Sequence, residues 1–124
     1  MRVPFEYAVI RVVPRVERGE SINAGVILFC RERDYLGGAV HLDTARLRAL
    51  DAEAPVEDVA AALDSIVASC GTDADGPALA EEIGRRFRWL TAPRSTIVQP
   101  GPVHTGITDD PGTEIDRLLG RLVR

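Results

Sequence analysis

The sequence predicts an α+β domain: a small antiparallel sheet, formed by a three-stranded meander plus a fourth edge strand, with about four helices packed on one face. Three observations carry that prediction. The first 43 positions hold three runs rich in β-branched and aromatic residues, separated by short polar turns. Positions 44–90 and 111–123 instead repeat apolar residues every three or four positions, behind residues suited to helix starts. At 124 residues the chain is long enough for one core and too short for two, so positions 1–124 read as a single domain.

FEYAVIRVVP (5–14) begins with Phe5, Tyr7 and Val9 alternating against more polar neighbours, as a strand with one buried face does. INAGVILFCRE (22–32) is an apolar run too short and too β-branched for a helix, and it reads as the central strand. After the polar turn Arg31–Asp34, YLGGAVHLD (35–43) returns as the third strand, with Gly37 and Gly38 permitting a bulge or close packing. Asp43 or Thr44 then caps TARLRAL, whose Leu47 and Leu50 share a face. From Pro55 to Ser69 the residues Val56, Val59, Ala60, Leu63, Ile66 and Val67 keep helical spacing, with Pro55 suited to the first turn and Gly71 to the end. CGTDADGP reads as a loop. Pro77–Leu90 follows as a third helix, with Leu79, Ile83, Phe87 and Leu90 on one stripe and arginines on the other face. The last helix, about Pro111–Val123, is introduced by Thr108, Asp109 and Asp110, one of which caps its free amides.

Composition removes several function classes. With 45% hydrophobic and 27% charged residues the chain is globular rather than disordered. Every basic side chain is arginine. Without lysine there is no Schiff base, no phosphate-loop lysine and no Ser-Lys dyad on this chain. The net charge of -4 argues against a dedicated nucleic-acid binder, although Arg85, Arg86, Arg88 and Arg94 lie in a stretch without acids and Trp89 beside them suits base stacking. Cys30 and Cys70 lack CxxC spacing and, with only His41 and His104 available, supply no zinc set. Apolar surroundings favour buried thiols over a disulfide. GTDADG (71–76) has alternating acids but not the rest of a calcium loop. No metal and no cofactor is expected. Neither a signal-peptide core nor an apolar run of about 18 residues occurs, so a cytoplasmic, membrane-free protein is the expectation.

Two segments are candidates for a site. WLTAPRSTIVQPGPVHTGI (89–107) carries Pro93, Pro100 and Pro102, which fix φ and hold a connector extended at low entropic cost. Its STIVQ stretch has strand character and suits an edge strand, with Pro100 and Pro102 ending the pairing. A stiff connector does not require Arg94, Ser95, Thr96, Gln99, His104 and Thr105 to cluster, and together these offer a guanidinium fork, hydroxyls, an amide and an imidazole suited to a phosphate or carboxylate. The ribbon therefore reads either as a hydrogen-bonded structural element or as a small-anion pocket. In RGESINAG (18–25), Glu20 and Asn23 flank the entry to the central strand and Gly25 lets another backbone or a ligand come close; Ser21 or Asn23 satisfying the turn is the structural alternative. No triad or paired-carboxylate arrangement emerges, so catalytic residues are not assigned and the balance leans away from an enzyme.

EYAVIRVVPRVERGESINAGVILFC near the start and RFRWLTAPRSTIVQPGPVHTG near the end resemble the bacterial DUF3037 family, named for its unassigned function, over almost the whole length. The resemblance implies no activity and no catalytic residues. It does imply a partner, because members are often encoded beside a HipA-like kinase-domain protein. Its two blocks coincide with the two candidate segments, which favours Glu20, Asn23, Arg94, Ser95, Thr96, Gln99, His104 and Thr105 lining one site. The functional expectation is a binding or accessory module working with a partner protein such as a HipA-like kinase. The alternatives are a small phosphate- or nucleotide-binding protein or enzyme, and a nucleic-acid contact through the Arg85–Arg94 surface.

Overall fold

The computed structural model describes residues 1–71 and 79–124. Four antiparallel strands, β1 (Val3–Val12), β2 (Ile22–Cys30), β3 (Tyr35–Val40) and β4 (Val98–Thr108), form one sheet in the order β3-β2-β1-β4. The meander is present as expected, with a single 3-10 turn over Arg31–Arg33 and Asp34 in the left-handed region (φ 48°) joining β2 to β3. β4 adds to the open side of β1, running from Val12↔Val98 to Val3↔Thr108. Between Ile10 and Arg11 the β1–β2 register slips. Ala24 is the extra residue, and its carbonyl is taken by the His41 amide at 2.8 Å.

Among the described residues four helices, α1 (Thr44–Leu50), α2 (Val56–Ala68), α3 (Leu79–Leu90) and α4 (Pro111–Leu122), complete the α+β fold. The expected start of α3 at Pro77 and residues 72–76 of GTDADG lie outside the described residues. Asp43 caps α1 by accepting from the Arg46 amide, and Asp110 caps α4 by accepting from the Gly112 amide.

The helices do not share one face, and the expectation that they do is corrected. Side chains alternate along a strand, and both faces of this sheet are covered. On one, Ile10, Val12, Ile27 and Phe29 pack against Leu47 of α1, Leu63 of α2, and Ile83 and Phe87 of α3. On the other, Phe5, Val26 and Leu28 pack against Ile115, Leu118 and Leu119 of α4. Each such side chain, fully buried, contributes about 1.5–3 kcal/mol. Two-sided burial explains why β2 reads as an unbroken apolar run: every residue from Ala24 to Cys30 is buried, so no solvent face imposes alternation.

Pro100 and Pro102 also behave differently from expectation. They do not end the strand; β4 runs through both. Register explains the tolerance. Ala8 faces Val103 and Ile10 faces Pro100, so Gly101 and Pro102 together oppose Val9 in a bulge. An edge strand with a bulge loses little pairing to a missing amide.

Candidate functional site

A groove of about 600 Å³ opens on the face that carries α2 and α3. One wall is a single stripe of α2, with Asp58, Val59, Ala62 and Ile66 at helical spacing and Ser69 just past the end of the helix. The opposite wall is Trp89 and Leu90 from the last turn of α3, followed by Thr96, Ile97 and Val98 leading into β4. Leu63 and Leu90 are tied into the core behind these walls, so the groove is built on rigid elements.

Local chemistry explains the bend that closes one end. At the end of α3 the Thr91 hydroxyl donates to the Phe87 carbonyl at 2.8 Å, and Pro93 then prevents the helix from continuing. The chain turns back so that the Arg94 guanidinium lies over the Trp89 ring, 4.7 Å from its centroid, and donates to the Trp89 carbonyl. Trp89 remains 65% exposed. It therefore does not cap the core as a buried Trp would; it forms an aromatic lip with a cation stacked on it, an arrangement worth about 0.5–1 kcal/mol at an exposed site. Held this way, Arg94 presents a fixed fork to the groove, which is otherwise mostly apolar apart from Asp58 and a few hydroxyls.

The eight sequence candidates fall into five places. Arg94 and Thr96 line the groove, with Ser95 between them on the exposed turn and the Thr96 hydroxyl donating to the Val98 carbonyl at 2.7 Å. Asn23 and Gln99 flank Arg11 from the two neighbouring strands, in one row on the α4 face of the sheet; Asn23 donates to the Leu122 carbonyl at 2.9 Å and so closes the end of α4. His104 and Thr105 are successive strand residues on opposite faces. His104 packs on Tyr7, ring centroids 5.3 Å apart, while Thr105 pairs with Glu6. Glu20 stands exposed in the β1–β2 turn, held by Arg18 at 2.6 Å, and this hydrogen bond and charge keep its carboxyl below the usual range. Only Arg94 and Thr96 of the eight share the groove.

Sequence reasoning missed the α2 wall and Arg11. A signal for the wall was present: the apolar stripe of α2 is wider than its two buried residues, Val59 and Leu63, require. The Gly25 reading is answered by a backbone: a Cβ at that position would lie 2.8 Å from the Ala39 carbonyl oxygen.

The arginine strip is largely neutralised. Arg85 pairs with Glu81 at 3.6 Å, Arg86 with Glu82 at 2.9 Å, and Arg88 takes both Glu6 carboxylate oxygens at 2.9 Å. Both cysteines are free and buried, and burial pushes the Cys70 thiol up to about 11, far from the thiolate that nucleophilic or metal chemistry needs. Among the described residues no group of three or more His, Cys, Asp or Glu side chains could hold a metal ion, and no helix is long and apolar enough to cross a membrane.

A family described as "Protein of unknown function (DUF3037)" has a sequence model that matches residues 7–123. No curated protein and no solved structure matches the chain.

Proposed function

The chain belongs to the DUF3037 family, and from the geometry of its groove we propose that it is a binding module, acting beside a partner protein rather than carrying out chemistry alone. The carrying observation is the α2–α3 groove, mostly apolar, rimmed by an exposed Trp89 and furnished with one oriented guanidinium, Arg94. Aromatic and arginine side chains are the usual anchors of protein interfaces. A rigid apolar groove with one cation at its lip suits an apolar segment of a partner that carries a carboxylate beside it. The partner we propose is the HipA-like kinase-domain protein that the family resemblance suggests. Co-expression followed by size-exclusion chromatography tests this: co-elution that Trp89→Ala with Arg94→Ala disrupts is the expected result, and consistent elution as separate species refutes it.

The oriented Arg94 also favours a second reading, a small carboxylate- or phosphate-bearing ligand in the same groove. Such a ligand at a hundredfold excess over its Kd adds about 2.7 kcal/mol of stability. The melting temperature of the wild type should then rise and that of Arg94→Ala should not; a panel of phosphate- and carboxylate-bearing metabolites that moves neither refutes this reading.

A further inference from the structure

β4 is the longer of the two outer strands, eleven residues against six in β3. Among the described residues it pairs only with β1, and Pro102, Val103, His104, Thr105 and Ile107 along it are exposed. Sheet edges that stay single are guarded by charges, prolines or bulges. Here Pro100, Pro102 and the bulge guard only the first part. Val103–Thr108 has regular register with β1, no proline and no charged residue, and its Val103 and Ile107, on one face, are 38% and 57% exposed.

We propose that this edge joins two copies of the chain: β4 pairs antiparallel with the partner's β4 about a two-fold axis at Thr105, merging two four-stranded sheets into one. The register follows from the ends of the unguarded segment. Pro102 limits pairing on one side and the Asp109–Asp110 turn into α4 on the other, and Thr105 is midway. Val103 then faces the partner's Ile107, twice, covering the exposed apolar pair. His104 faces the partner's Gly106, twice. Gly106 presents no side chain, because the Phe5 ring occupies that place; a Cβ there would come within 2.6 Å of Phe5 Cζ. The imidazole of one copy thus meets the aromatic pair Phe5 and Tyr7 of the other, whose rings already lie 5.8 Å apart.

Charge supports a second copy over other strands. The seam itself is neutral, so two copies of a chain with net charge -4 meet there without repulsion along the strand. The same register brings the partner's Asp109 level with Gly101, and the Arg11 guanidinium lies over Gly101, its Cζ 3.2 Å from where a Cβ would stand. Arg11 and Asp109 are both exposed. Each end of the seam therefore carries charges of both signs, which spares the antiparallel arrangement like-charge repulsion. The two-fold uses both β4 edges, so the assembly closes as a dimer.

Sedimentation equilibrium of the full chain should give a dimer. Thr105→Arg sets two guanidinium groups opposite each other at the axis and should weaken the dimer about tenfold or more, while Thr105 is exposed within its own copy, so the thermal transition should persist. Thr105→Cys should cross-link on mild oxidation because it faces itself, whereas Ile107→Cys, which faces the partner's Val103, should not. A wild-type monomer at every concentration, or a dimer indifferent to Thr105→Arg, overturns the proposal.

Discussion

Replacing Gly25 by alanine should destabilise the protein by about 3 kcal/mol, the upper part of the range for adding a methyl to a packed interior. An alanine Cβ at 25 would lie 2.8 Å from the Ala39 carbonyl oxygen, 2.8 Å from Val40 Cγ1 and 3.0 Å from Ile10 Cδ1, against about 3.5–4.0 Å for a comfortable carbon contact. Val40 can turn aside, but the Ala39 oxygen belongs to the paired strand β3 and moves only if the backbone moves. With an unfolding entropy of roughly 2.1 cal/mol/K per residue, 124 residues convert that loss into a fall in Tm of about 11 °C. The control is Gly120→Ala, in the exposed part of α4 with nothing within 4 Å of its added Cβ; it should stabilise by about 0.4–1 kcal/mol. Thermal melts and urea titrations of both variants read the two signs directly. If Gly25→Ala melts within a degree or two of the wild type, β3 does not pass Gly25 as described and the close-approach argument fails.

Other outcomes are as specific. Asp110→Ala removes the acceptor for the Gly112 amide at 3.1 Å and the Thr113 hydroxyl at 2.9 Å, and should cost about 1 kcal/mol, read as a lower urea midpoint at unchanged slope. Cys70 ties pH to stability: its thiol rises from 9.0 to about 11 on folding because it is buried, so the folded state holds the proton longer. That contribution is complete below about pH 9 and is lost as pH rises through about 11, and Cys70→Ala should flatten the alkaline fall in stability. The Glu6–Arg88 pair, despite two 2.9 Å contacts, is more than half exposed at the arginine, so a double-mutant cycle should give less than about 1 kcal/mol, shrinking with added salt.

Local signals in the sequence were read correctly where one element decides its own structure. The Asp43 and Asp110 caps, the α2 stripe and the meander follow from side chains acting on adjacent backbone. What one element owes to another was harder to see. α4 has the stripe of a core-facing helix, yet nothing local to Ile115, Leu118 and Leu119 states which sheet face they cover; only the missing alternation in Ala24–Cys30 hinted at two. Pro100 and Pro102 suggested a stop because the bulge opposite Val9 that accommodates them exists only once β1 is alongside. The candidate site divided for a related reason: His104 and Thr105 are neighbours in sequence but are turned apart by the pleat, and Arg94 is drawn away from both by Trp89.

Pairing Val3 with Thr108 has a consequence for how the chain assembles. β1, an inner strand in the finished sheet, is an outer strand in the nascent chain. Once Val40 has emerged, β1, β2 and β3 can form their meander, but the second edge of β1 has no partner until β4 follows roughly sixty residues later. At about 5–20 residues per second that interval lasts several seconds, during which VPFEYAVIRV presents an open, mostly apolar edge. The slow step of folding should therefore be the closure of this long loop rather than the formation of any helix, and chains interrupted before residue 98 should be the aggregation-prone ones.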